Sequence, residues 1–196
     1  MLKSKPVTYL AGWAIRSWVL FEKHQQKIRE TLQIRNDFLT IAKQFVEPLR
    51  KEYGMVIGVQ IRQTDYRTFY NGKYYFESSK YALWMTQVGK LLNRNDIMFI
   101  IASDEKQNAS IFHGLNFRFA TGNPLGNGHY MESFAELTHC DMLMTPPSTY
   151  TVWAAFLADI PIIALYDKEQ VIGEEHILRR HLFDALTHPE FSFAVK

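Results

Sequence analysis

Residues Met55–Tyr66 read MVIGVQIRQTDY, and the reading of this stretch decides the fold. Met55, Val56, Ile57, Val59 and Ile61 form a short apolar run rich in β-branched side chains. That composition suits a strand buried on both faces of a parallel sheet. The run follows Gly54 and is too short for a helix. It gives way to Gln60, Arg62, Gln63, Thr64 and Asp65. In open α/β sheets, ligands bind just outside the carboxyl ends of the strands. An arginine there offers a fixed positive fork for phosphate or carboxylate. Asp65 then either orients that arginine or meets the ligand. The plain alternative is an Arg62–Asp65 pair that only closes a strand end.

Outward from this strand, the pattern alternates. On the amino-terminal side, Trp18–Leu32 reads as an amphipathic helix. Asn36 and Asp37 offer N-caps for a second helix, from Phe38 to about Val46, whose end Pro48 should kink or loosen. On the other side, the aromatic stretch Tyr66–Tyr75 reads as a loop with an Asn71-Gly72 turn, and Phe76–Leu92 as a helix. Ile97–Ala102 is a second apolar strand, with Ser103-Asp104-Glu105 at its end capping a short helix through Phe112. Asn116–Ala120 is a weaker strand, and Gly122–Gly128 a connecting loop without the Gly-Lys-Ser/Thr ending of a triphosphate loop. Tyr130–Thr138 is helical, with Ser133 and Glu136 spaced as a capping box. Asp141–Met144 and Ile160–Leu165 are strands flanking a helix over Thr149–Leu157, and the tail from Glu174 is helical. Strands alternating with helices predict one Rossmann-like domain: a parallel sheet between two helical layers. A helical segment over about 1–50 precedes an α/β core over about 54–165, and a helical tail over about 166–196 follows it. Polar clusters at Arg62–Asp65, Ser103–Glu105 and Thr145–Thr151 then share one edge of the sheet.

Composition narrows the functional classes. Of 196 residues, 47% are hydrophobic and 21% charged, enough for a sizeable core. A formal net charge of +2, without a basic block, argues against nucleic-acid binding through a general field. Cys140 is the single cysteine, so no intrachain disulfide can form and a reducing compartment is expected. The start, MLKSKPVTYLAGWAIRSW, imitates a secretory leader, but Arg16 interrupts its apolar run. No stretch reaches the ~18 uninterrupted apolar residues of a membrane helix. His113, His129, His139, His176 and His181 lack metal-ligand spacing, so no metal site is expected. Cys140, Trp84 and Trp153 read as core. Tyr66, Phe69, Tyr70, Tyr74 and Tyr75 either line a cleft, as loop aromatics that meet sugar faces, or simply pack.

Three stretches resemble, in order, the motifs of the α1,2-, α1,6- and protein O-fucosyltransferase superfamily. GVQIRQTDY at Gly58–Tyr66 resembles a strand ending in His-x-Arg-Arg-x-Asp-Tyr. FIIASDE at Phe99–Glu105 resembles a strand ending in Ser-Asp-Asp. SFAELTHCDMLMTPPSTYTVWAAFL at Ser133–Leu157 resembles the third motif, with its small hydroxyl residues and Trp-Ala-Ala segment in register. The resemblance covers about residues 15–165 and corresponds to the carboxyl-terminal, GDP-sugar-binding half of these enzymes. It implies the donor domain of a GT-B glycosyltransferase. The reaction implied is inverting transfer of L-fucose from GDP-fucose to a sugar acceptor, without metal or other cofactor.

By the same resemblance, Arg62 contacts the donor diphosphate, and Asp65 orients Arg62 or helps deprotonate the acceptor. Gln60 stands where the motif has histidine. Ser103 and Asp104 lie where the second motif meets the nucleotide, and a carboxylate at Asp104 suits guanine's N–H edge. Ser148, Thr149 and Thr151 supply hydroxyl and N–H donors to the phosphates. Asp104, Ser148 and Thr149 also suit a purely structural role as helix caps. There are departures: Gln60 for histidine, Gln63 for the second arginine, and Pro147 for asparagine. They motivate an alternative reading, a catalytically impaired nucleotide-sugar or glycan-binding module, or a transferase for another nucleotide sugar. The expected partners are a nucleotide-sugar donor, a glycan acceptor and a missing amino-terminal acceptor domain, this chain being either a portion of a longer product or one whose acceptor side comes from elsewhere. The expected location is cytoplasmic, compatible with peripheral membrane attachment.

Overall fold

The structure, a computed structural model, describes residues 18–179. Its centre is β1 (Met55–Ile61), in which every residue after Met55 is buried. β1 pairs in parallel with β2 (Ile97–Ser103) on one side and β4 (Met142–Thr145) on the other. β3 (Phe117–Phe119) extends the sheet beyond β2, and β5 (Ile162–Ala164) beyond β4. β6 (Ile177–Leu178) closes that edge antiparallel to β5. Among the described residues the order is β3-β2-β1-β4-β5-β6, which makes the fold Rossmann-like, a mostly parallel α/β sheet. The strand order reverses between β1 and β4, and ligands of such folds enter at that reversal.

Side-chain alternation along the strands divides the core in two. Ile57, Val59 and Ile61 join Ile97, Phe99, Ile101, Met142 and Met144 on one face, beneath α3 (Ser78–Leu91) and its Tyr81, Trp84, Met85 and Val88. Val56, Met98, Ile100 and Leu143 face the other way. They lie under α2 (Asn36–Glu52), α4 (Tyr130–Leu137) and α5 (Thr149–Ala158), with Phe21 and Ile28 of α1 (Trp18–Thr31) packed outside. Each aliphatic side chain removed from water in this way contributes about 1.5–3 kcal/mol. Trp84 and Cys140 are core residues, as expected, while Trp153 is half-buried against Phe21 and Phe156. Arg29 of α1 grips the far end of α5: its Nε donates to the Phe156 carbonyl at 2.7 Å and its Nη2 pairs with Asp159 at 2.7 Å.

Gly58 lets α4 approach β1. An added Cβ there would lie 2.5 Å from methyls of both Leu137 and Leu143 and 3.1 Å from the Cys140 sulfur.

Several boundaries differ from expectation. α2 runs through Pro48 to Glu52, with Arg35 rather than Asn36 or Asp37 at its N-cap; its buried Val46 and Leu49 hold the helix past the proline. Asp104 does not cap a helix. The turn at Ala109–Phe112 is capped by Asn108, whose side chain accepts from the Ser110 N–H. The capping box of α4 is formed by His129 and Glu132, one turn before Ser133 and Glu136. Glu136 is fully buried and instead accepts from the N–H and hydroxyl of Thr121, just past β3. The tail from Glu174 begins as a single tight turn followed by β6, not as a helix. Residues 180–196 of the expected tail, and the leader-like segment before Trp18, lie outside the described residues.

Two outcomes follow from this packing. Gly58→Ala should lower stability by about 1–3 kcal/mol, because the inserted methyl must displace packed leucines; the urea midpoint measures it. Burial, countered in part by the Thr121 bonds, raises the Glu136 pKa above the usual carboxylate range. The folded protein then binds the proton more tightly than the unfolded chain. This contribution favours folding fully below the unfolded pKa and is lost as pH rises through the folded value. Glu136→Gln should flatten that slope in denaturation midpoints recorded across mildly acidic to neutral pH.

Candidate active site

The polar clusters do meet at one edge of the sheet. β1 ends into a turn at Arg62–Thr64, and β2 ends beside it in Ser103 and Asp104. Asp104 stitches the two together. Its Oδ1 accepts the Gln63 N–H at 2.8 Å, while its Oδ2 accepts the Thr64 N–H at 3.2 Å and the Thr64 hydroxyl at 2.6 Å. The same Oδ2 lies 3.3 Å from Arg62 Nε. Asp65 completes the clamp at the same Nε: its Oδ1 takes Arg62 Nε at 3.0 Å and its Oδ2 takes Nη2 at 3.1 Å. The guanidinium is stacked over the Tyr66 ring, 5.5 Å from its centroid. Nε and Nη2 are thus engaged, and Nη1 has no hydrogen bond among the described residues.

Partial burial works against the charge of Arg62. Its bond to Asp65 and the nearby Asp104 outweigh that, so the guanidinium holds its proton more firmly than usual. The bond to Arg62 in turn pulls the Asp65 carboxyl below the usual range, which makes Asp65 a weak base and a good orienter. One guanidinium and two carboxylates sum to a formal −1. The site therefore offers directed N–H donors rather than a basic field.

Gln63, which replaces the motif's second arginine, points away from the ligand edge into a neutral network. Its Nε2 donates to the Phe76 carbonyl at 2.9 Å, and its Oε1 accepts from Gln107 Nε2 at 2.9 Å. Gln107 Nε2 also reaches the Ser103 hydroxyl at 3.0 Å, and the Ser78 hydroxyl donates to Gln107 Oε1 at 2.6 Å. Ser103 therefore braces the turn rather than presenting its hydroxyl outward.

Across the strand reversal, Tyr66 donates its hydroxyl to the Pro147 carbonyl and so ties the β1 loop to the β4 loop. Ser148 precedes α5 at its N-cap, is buried, and makes no side-chain capping bond. Thr149 is exposed at the helix start. Thr151 departs from expectation: it is fully buried, 3.1 Å from the Thr145 hydroxyl, and holds the β4–α5 corner instead of facing the crevice. Gln60 points to the same face as Gly58 by strand alternation. It is 4% exposed, its Nε2 reaches only the neighbouring Ile61 carbonyl at 3.3 Å, and its Oε1 has no partner among the described residues. Arg62, Asp65, Asp104, Ser148, Thr149 and Gln60 thus border the reversal, with Ser103 and Thr151 behind them. Among the described residues no group of three or more His, Cys, Asp or Glu side chains could hold a metal ion. No helix among them is long and apolar enough to cross a membrane.

The sequence reading gave Thr64 no role of its own within the polar cluster, and gave Gln107 and Tyr81 no place at the site. Tyr81 lies on α3, and its hydroxyl is 3.5 Å from the Arg62 amide. Only Thr64 carried a signal, its place between two motif residues. Asp104→Ala should leave the Gln63 and Thr64 amides unpaired and lower stability by about 2 kcal/mol, read from urea denaturation.

The comparisons with known proteins bear on the family. No curated protein matches the sequence closely enough to count as a relative. A family model described as Glycosyl transferase family 11 matches residues 9–177, a span that contains every residue of the clamp, the strand reversal and α5. The match covers far more than half of the chain, which therefore belongs to glycosyl transferase family 11, a family of fucosyltransferases.

Proposed function

We propose that this chain is the donor-binding part of a GT-B enzyme that transfers L-fucose from GDP-fucose to a glycan acceptor with inversion and without metal. The observation that carries the reading is the Arg62 guanidinium, clamped by Asp65 and Asp104 at the sheet edge where Tyr66 ties the β1 loop to the residues before α5. As the bond between fucose C1 and the phosphate oxygen lengthens, negative charge grows on the departing GDP. A donor edge already fixed in place stabilises that charge without reorganising. The first-turn amides of α5 point toward the same charge, as helix N-termini do for phosphates. Gln60 Oε1 offers an acceptor for a hydroxyl or N–H of the donor.

The acceptor oxygen attacks C1 from the face opposite GDP, and its proton leaves as the new bond forms. Asp65 orients Arg62 and is poorly suited to take that proton. Asp104 shares its oxygens with the Gln63–Thr64 turn. A guanine edge would have to share them too, so the carboxylate's first role in this reading is positioning.

A second reading, a module that binds the nucleotide sugar but turns it over poorly, is favoured by one feature. Gln63 puts a neutral amide in a closed network where the related motif has a second arginine.

Calorimetric titration without added metal tests the site. GDP and GDP-fucose should bind, with UDP and ADP silent. Arg62→Ala should weaken GDP affinity at least tenfold while circular dichroism stays native. A folded Arg62→Ala chain that binds GDP as well as wild type would overturn the assignment. Turnover of GDP-fucose by the wild-type chain separates the first reading from the second.

A further inference from the structure

Beyond Tyr66 the loop takes a conformation that its residues do not favour. Tyr70 has φ 47° and ψ 45°, Asn71 φ 56° and ψ 34°, and Gly72 φ 76°. Glycine adopts this left-handed region freely and asparagine tolerates it, but a bulky aromatic residue there is an outlier. A glycine at position 70 would fit the backbone without strain. The chain instead keeps a tyrosine there and leaves it 64% exposed. Hydrogen bonds from Asn71 to the Thr68 carbonyl and from Lys73 to the Tyr70 carbonyl hold the turn.

The ring is not isolated. It stands edge-on to Phe69 with centroids 4.7 Å apart, and 6.1 Å from Tyr74. Phe69 packs on Tyr66 at 5.3 Å, and Tyr66 lies under the Arg62 guanidinium. A continuous file of rings therefore runs from the clamped arginine to an exposed aromatic face at the same sheet edge. Strain retained at an exposed position calls for a role beyond packing.

We propose that the cluster of Phe69, Tyr70 and Tyr74 is an acceptor-sugar subsite, with the Tyr70 ring as the face on which a pyranose stacks. The inference rests on the crevice beside Arg62 being the donor site. Glycosyl transfer needs the attacking hydroxyl within about 3–3.5 Å of the reacting carbon, so an acceptor must lie along the edge where the donor's leaving group is held. The polarised C–H bonds of one pyranose face suit the negative face of an aromatic ring. A tyrosine fixed by its backbone and by Phe69 meets that face with little ordering cost.

The test is saturation-transfer NMR of the chain with methyl β-galactopyranoside, methyl β-glucopyranoside and methyl α-mannopyranoside, each with GDP present. At least one glycoside should show transfer, concentrated on the C–H protons of one ring face. Tyr70→Gly should weaken that binding about tenfold while the thermal midpoint does not fall and GDP affinity is unchanged. Tyr70→Phe should retain most of the binding. Equal glycoside signals for wild type and Tyr70→Gly would overturn the proposal, and so would silence of all three glycosides with wild type. Loss of GDP binding alone would strike the donor assignment, which a separate ligand reads.

Discussion

The candidate site depends on one carboxylate that reaches between two strands. Parallel neighbours in a sheet end at similar heights, but nothing in their backbone ladder fixes the turns that follow. Asp104 supplies that constraint. By accepting two consecutive amides and a hydroxyl from the turn after β1, it sets the path of Gln63 and Thr64. Arg62 immediately precedes them, so its direction is set as well. Asp65 then adds a two-point pair to Nε and Nη2 of the guanidinium. An arginine on a free loop would surrender rotamer entropy on meeting a ligand; here that cost is met during folding.

The network around Gln63 extends the same logic. Phe76, Ser78, Ser103 and Gln107 come from the start of α3 and from the end of β2 with its following turn. Their groups satisfy one another in a largely buried setting, where an unpaired amide would be costly. Exchanging arginine for glutamine in this motif therefore does more than remove a charge. It converts a position able to face a ligand into part of the frame. The frame is neutral, and the only guanidinium in the clamp is Arg62.

How much of this was legible in the sequence depends on whether the signal was local. β1 and β2 were, because apolar runs mark strands buried on both faces, and the polar residues ending them marked the edge at which the clusters meet. Arg62, Asp65 and Asp104 were found that way. Their division of labour was not, since Asp104 bonds to a turn some forty residues earlier, and a carboxylate after a strand looks the same whether it caps a helix or a neighbouring loop. The start of α4 at Tyr130 was read in place, but its capping box was placed one turn late, because histidine is an uncommon N-cap. Ser133 and Glu136 imitated the expected spacing while serving burial and the Thr121 bond. Thr151 belonged to a hydroxyl cluster in sequence, yet helical geometry turns it inward toward Thr145. The antiparallel β6 could not be read from two residues, too few to show a period.

The grip of Arg29 on the end of α5 has a mechanical side. α5 has 10 residues, so its axis is about 15 Å long. A charge at one end of such a helix is scarcely felt electrically at the other, because pole effects fade within a turn. What does travel along a hydrogen-bonded rod is displacement. With its carboxyl end moored to Phe156 and Asp159 by α1, α5 cannot slide along its axis. Ser148 and the first-turn amides therefore stay at a set depth at the strand reversal. The position of α5 is thus tied, at the end away from Ser148, to a helix on the outside of the sheet's layer.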